Sequence, residues 1–148
     1  MAHVGNYLFI QKQRFSSRIS ARVDVEPGLE DCLIPKLTLR PIVENAFIHG
    51  LDKKRGAWEI RITAGRSPEG IYIEVRDNGI GMDRGQLRHI RERIQLLPEP
   101  PRVSGESIGL TNVAARIRLH FGEPYGLTVS GGPEDGTAVT VHLPWKGQ

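Results

Sequence analysis

The sequence predicts a single domain of mixed α and β structure, and three observations carry that expectation. At 148 residues with 39% apolar content, the chain is long enough for one buried core and needs no second domain. Five stretches alternate apolar and polar residues with period two, as half-buried strands do. Between them lie stretches that repeat apolar residues at helical spacing.

Taken in order, residues 4–15 carry Tyr7, Leu8, Ile10 and Phe15 amid Lys12, Gln13 and Arg14, a modest amphipathic helix. Residues 1–17 therefore read as a connecting helix or linker, with Met1-Ala2-His3 an appended leader, and residues 18–148 as the domain. Ile19, Ala21, Val23 and Val25 alternate with Ser20, Arg22 and Asp24, giving a first strand that ends at Pro27-Gly28. Residues 35–49 predict a helix whose core face is Leu39, Ile42, Val43, Ala46 and Phe47, stopped by Gly50. Pro41 fits only its first turn or a kink. On its polar side Asn45 and His49 lie one turn apart on one flank, with Glu44 on the other. A solvated edge explains this arrangement, and so does a metal site, because an amide oxygen is a hard ligand of the kind Mg²⁺ accepts. Lys53, Lys54 and Arg55 then form a short basic turn.

Trp58, Ile60, Ile62 and Ala64 predict a strand that pairs, through a loop at residues 65–70, with the next one in an antiparallel hairpin. In that next strand Ile71, Ile73 and Val75 face the core, and Asp77 shares their parity. A carboxylate thus ends the buried row. An unpaired buried charge costs several kcal/mol, so it requires a donor, and a ligand with an amine edge would supply one. Asn78-Gly79 and Gly81 break the strand there and let backbone approach closely. An ordinary Asn-Gly turn, with Asp77 capping the next segment, accounts for the same residues.

After Met82, the spacing of Leu87, Ile90, Ile94 and Leu97 predicts a helix. Its polar side carries Arg84, Arg88, Arg91 and Arg93, which reads as a solvated face. Residues 98–101 end it, and residues 102–107 read as a mobile loop and lid candidate. Ser107-Ile108-Gly109-Leu110 leads into a helix with the stripe Leu110, Val113, Ala114, Ile117 and Phe121, closed by Gly122. A loop running into a helix start presents unpaired N–H groups and a positive dipole end to anions, although an ordinary capped helix has the same pattern. Two closing strands follow, carrying Leu127, Val129, Thr137, Val139, Val141 and Leu143. Thr137 falls on the inward parity, so its hydroxyl needs a backbone or ligand partner.

Composition narrows the function classes. The single Cys32 excludes an intrachain disulfide and a cysteine-cluster metal site, and the five histidines lack zinc-binding spacing. A net charge of +3 mildly favours anionic partners such as phosphates and falls short of a nucleic-acid-binding signature. The arginines from Arg84 to Arg93 lack the interleaved aromatics of a single-strand binder, leaving that reading remote. No uncharged apolar run reaches bilayer length and no signal peptide is evident, so this stretch is expected to be soluble and cytoplasmic.

Three stretches in this order resemble the ATP-binding domain of sensor histidine kinases, within the GHKL superfamily that also holds gyrase, a heat-shock chaperone and mismatch-repair ATPases. Residues 39–50, Leu-Arg-Pro-Ile-Val-Glu-Asn-Ala-Phe-Ile-His-Gly, resemble the N box. Asp77-Asn78-Gly79-Ile80-Gly81 resembles the first glycine box, and Ser107-Ile108-Gly109-Leu110-Thr111-Asn112 the second. Gly136-Thr137-Ala138-Val139 and Leu143-Pro144 extend the likeness, as do Tyr7-Leu8 and Arg14-Phe15, and the N-box wording is similar to the LytS/YesM-like kinases.

The resemblance implies a two-layer α/β sandwich of the Bergerat type, with helices over one face of a mixed, mostly antiparallel sheet and ATP between helices and lid. It implies that Asp77 accepts from the adenine amine, Gly79 and Gly81 admit the nucleotide, and Thr137 supports the adenine side. Asn45 would hold Mg²⁺, Glu44 would be the general base or water orienter, and Ser107, Gly109, Leu110 and Asn112 would line the phosphates. Ile48 replaces the usual N-box lysine, leaving His49 or Lys53-Lys54 to compensate, and Ser107 replaces a usual glycine, so weaker ATP affinity or turnover is expected. The implied partners are a histidine-bearing dimerisation domain of the same protein and a response regulator, within a membrane-anchored homodimer. An anti-sigma-factor-type serine kinase and a nonenzymatic ATP sensor are alternatives on the same fold.

Overall fold

The computed structural model describes residues 2–3, 19–29, 33–34, 42, 58–79, 81, 83–96, 108–132 and 136–145. The predicted helix at residues 4–15, the helix at 35–49 apart from Ile42, the basic turn at 53–55 and the lid candidate at 102–107 lie outside them, as does Cys32.

The described elements are β1 (Ala2–His3), β2 (Ile19–Val25), β3 (Leu33–Ile34), β4 (Trp58–Ser67), β5 (Gly70–Asp77), α1 (Arg84–Leu96), α2 (Ile108–Phe121), β6 (Gly126–Gly132) and β7 (Gly136–Leu143). Five strands form one sheet in the order β2-β4-β5-β7-β6. β2 runs parallel to β4 and every other neighbouring pair is antiparallel. A parallel pair needs a long crossover, which the stretch between Val25 and Trp58 provides. β1 pairs with β3 in a separate two-stranded ladder, Ala2 opposite Ile34 and His3 opposite Leu33.

Strand parity decides which side of the sheet is buried. Ile60, Ile62 and Ala64 of β4, Ile71, Ile73 and Val75 of β5, and Val139, Val141 and Leu143 of β7 form the inner rows. Against them pack Ile90 and Ile94 of α1 and Leu110, Val113, Ala114 and Ile117 of α2, all in one apolar core that Ile42 joins. Both helices rest on β6 and on each other, so the helical layer covers one face of a mixed sheet, as expected for an α/β sandwich.

The hairpin is tighter than the sequence suggests. β4 runs through Gly65 to Ser67 and β5 resumes at Gly70, leaving Pro68-Glu69 as the turn. Gly65 sits opposite Tyr72, and a Cβ there would lie 2.6 Å from the Tyr72 hydroxyl. The glycine makes room for the ring instead of breaking the strand.

Helix ends follow local chemistry. Asp83 Oδ1 accepts from Gln86 N–H at 2.8 Å while Gln86 Oε1 accepts from Asp83 N–H at 3.0 Å, a reciprocal cap that starts α1. At the end of α2, Gly122 takes a left-handed φ of 76° and donates to the Arg118 carbonyl at 2.8 Å. Among the described residues no helix is long and apolar enough to cross a membrane.

Candidate functional site

Three of the expected site residues, Asp77, Gly79 and Thr137, lie together at one end of the sheet, where β5 stops and β7 begins. Asp77 closes the inner row of β5 with 5% of its surface exposed, between Ile60 of β4 and Thr137 of β7 as direct pairing partners. Its Oδ1 accepts from the Gly79 N–H at 2.8 Å. The local turn and the buried carboxylate read from the sequence are therefore both present. A carboxylate offers about four acceptor positions, so the Gly79 bond alone does not saturate it.

Asn78 has a role that sequence reasoning missed. Its N–H donates to the Glu59 carbonyl at 3.2 Å and its Oδ1 accepts from the Glu59 N–H at 2.8 Å. The amide side chain thus continues the β4–β5 ladder one step beyond its last regular pair and fixes the strand end carrying Asp77. The sequence carried no signal for it, because only the pairing of Asp77 with Ile60 in the folded sheet places residue 78 beside Glu59.

Two glycines near this end adopt left-handed backbone, and one of them lets the strand ends meet. Gly136 has φ of 76°, and a Cβ on it would run into the Asp77 carbonyl oxygen and lie within 3.1 Å of Asn78 Cα. Gly81 has φ of 75°, a left-handed conformation that costs a residue with a Cβ about 1–2 kcal/mol. Thr137 next to Gly136 is 7% exposed on the inward side, as its parity predicts.

The other expected contributors sit on α2. Gly109 and Leu110 occupy its first turn, where no acidic side chain offsets the positive dipole end. The Leu110 side chain is wholly buried in the core, so only its backbone remains to meet a ligand. Asn112 Oδ1 is buried and lacks a hydrogen-bond partner among the described residues, an acceptor that calls for a donor. The structure brings Asp77, Gly79 and Thr137 together. Glu44, Asn45, His49 and Ser107 lie outside the described residues.

This geometry suits a purine with an exocyclic amine: a buried acceptor at a strand end and a hydroxyl on the opposed residue. Residues 33–147 match the family described as histidine kinase-, DNA gyrase B-, and HSP90-like ATPase. The chain is 37% identical over 145 residues to the sensor histidine kinase YesM of Bacillus subtilis and 31% identical over 144 residues to the sensor histidine kinase BtsS of Escherichia coli K12. These alignments take in 98% and 97% of this chain and 23% of each relative, so the chain spans about a quarter of their length. Among solved structures, the ATP-binding domain of PrrB from Mycobacterium tuberculosis superposes with a TM-score of 0.63 at 22% identity, covering 97% of this chain and 95% of that one. The histidine kinase domain of the E. coli osmosensor EnvZ gives 0.64 at 19% identity, covering 99% and 89%. By sequence and by fold, the chain belongs to the histidine kinase-, gyrase- and HSP90-like ATPase family.

Proposed function

We propose that this domain binds Mg·ATP and supplies its γ-phosphoryl group to a histidine on a separate dimerisation domain, as the catalytic part of a two-component sensor histidine kinase. The observation that carries the reading is Asp77, a carboxylate buried at a strand end beside Thr137. Asp77 accepts from the adenine amine, Thr137 holds the same edge, and Gly79 and Gly81 let the ring approach. Gly109 and Leu110 offer backbone N–H groups to the phosphates, with Ser107 and Asn112 alongside. Asn45 ligates Mg²⁺, His49 neighbours the phosphates, and Glu44 orients or deprotonates the acceptor. Mg·ATP supplies the activated phosphoryl group, and the residues contribute chiefly positioning and charge neutralisation.

The phosphoryl group then passes to an aspartate on a response regulator, and the intact protein is a homodimer anchored in the membrane with this domain in the cytoplasm. Ile48 and Ser107, where family members usually carry lysine and glycine, favour a second reading in which the domain senses ATP without transferring phosphate.

The test mixes the domain with a separately expressed histidine-bearing dimerisation domain from the same protein and γ-labelled ATP. Acid-labile label on the histidine supports the kinase reading. Label on a serine substrate instead indicates the anti-sigma-type activity, and ATP binding without transfer indicates the sensor.

A further inference from the structure

At the end of the sheet remote from Asp77, where Gly126 of β6 pairs with His142 of β7, the fold leaves a hollow of about 100 Å³. Its walls include Ile94 of α1, Ala114 and Arg118 of α2, Leu127 and Thr128 of β6, and His142 of β7. None of these residues belongs to the Asp77 corner.

Arg118 is the charged group in these walls. Its Nη1 donates to the carbonyl of Gln95, in the last turn of α1, at 3.3 Å, a long bond that ties the two helices together. Its Nε is buried and has no partner among the described residues. In a guanidinium, Nε and Nη2 form the edge whose two N–H groups point in parallel, the fork that takes both oxygens of one oxyanion. Tying the helices through Nη1 leaves that fork for another acceptor. A buried N–H without an acceptor has lost its hydration and gained nothing in return, so the arrangement calls for one.

We propose that this hollow is a second ligand site that takes a short-chain monocarboxylate, with its two oxygens on the Nε–Nη2 fork of Arg118 and its alkyl end against Ile94, Ala114 and Leu127. The charge balance selects a single negative group. No acidic residue lines the hollow among the described residues, and Glu69, whose charge reaches His142, lines the neighbouring one instead. Burial holds the His142 imidazole below its ordinary value, so near neutral pH the positive charge is that of Arg118 alone. The apolar wall selects the tail: Ile94, Ala114 and Leu127 are each less than a tenth exposed. A dianion such as phosphate needs more donors than one fork supplies, and its remaining oxygens would be buried against carbon. Size agrees, because one water needs roughly 10–15 Å³ of such space, so the hollow admits a small acid and excludes a nucleotide.

The probe is propionate, with propionamide as its uncharged counterpart and inorganic phosphate and chloride as competing anions. Titrated at constant ionic strength into the isotope-labelled 148-residue chain and followed by amide NMR, propionate is expected to shift Arg118, Leu127 and Thr128 saturably, with a Kd of about 0.1–10 mM. Propionamide and phosphate should bind at least about fivefold more weakly. Arg118→Gln should abolish saturation. Arg118→Lys keeps a charge and a donor for the Gln95 carbonyl but lacks the fork, so it should weaken propionate about fivefold, and it decides the matter if Arg118→Gln fails to fold. Unsaturable shifts no larger than those with chloride identify a hollow that holds water only and overturn the proposal. So do phosphate or propionamide binding as tightly as propionate, propionate affinity unchanged in the Arg118 variants, or shifts gathered at Gly79 and Thr137 instead. No nucleotide enters these measurements, so the kinase reading and this one fail separately.

Discussion

Asp77 and Thr137 stand directly opposite one another across β5 and β7, both buried, at the end of the sheet where β5 stops and β7 begins. A buried carboxylate facing a buried hydroxyl is an expensive arrangement for folding alone, which supports the proposed ligand at this corner.

Replacing Asp77 with Asn should separate binding from folding. The amide oxygen can still accept from the Gly79 N–H, so the turn survives. Losing a charged hydrogen bond to the adenine amine, worth about 1.5–3 kcal/mol, should weaken ATP by roughly one to two decades. Isothermal calorimetry showing unchanged affinity would remove Asp77 from the site.

Thr137→Val keeps the β-branched shape and deletes the hydroxyl. Domain stability should stay within about 1 kcal/mol, because no side-chain bond of Thr137 to another described residue is lost, while ATP affinity falls about three- to tenfold. A large drop in stability with unchanged affinity would make the hydroxyl a structural group.

Gly136→Ala tests the close approach of β7 to the end of β5. A Cβ meets the Asp77 carbonyl and the left-handed φ of 76° is strained for alanine, so urea unfolding should show a loss of about 2–4 kcal/mol. Alanine tolerated at no cost would mean that the Asp77 corner is looser than described.

Removal of the expected metal ligand offers a test of the phosphate side. Asn45→Ala should weaken ATP binding in the presence of Mg²⁺ and leave binding in its absence largely unchanged, since the adenine contacts remain. Equal losses with and without Mg²⁺ would argue that Asn45 acts on the nucleotide itself.

His142 should give the fold a pH dependence. Burial holds its imidazole below the ordinary value of 6.5, against a smaller upward pull from Glu69. The ring lies 3.2 Å from the Thr128 hydroxyl, Nε2 to Oγ1. A lowered basic pKa means that the unfolded chain binds the proton more readily, so stability is full above about pH 6.5 and declines as pH falls toward the folded-state value. Melting midpoints between pH 5 and 8 should show less of this decline in His142→Gln than in the unmodified chain.

Much of this molecule was legible because its signals are local. Parity along residues 71–77 already placed Asp77 on the buried side, the same parity placed Thr137, and apolar spacing marked both α1 and α2. These depend on backbone geometry within one element, which the order of residues dictates directly. Pairing between elements is different, because each register is chosen by the whole buried face at once. Only the assembled sheet set Gly136 against the Asp77 carbonyl, turned Asn78 into a clamp on Glu59 and lined up Arg22, Arg61 and Arg76. No period in the sequence links those three arginines, and they became neighbours because burying the apolar rows on the opposite face fixed the strands in that alignment.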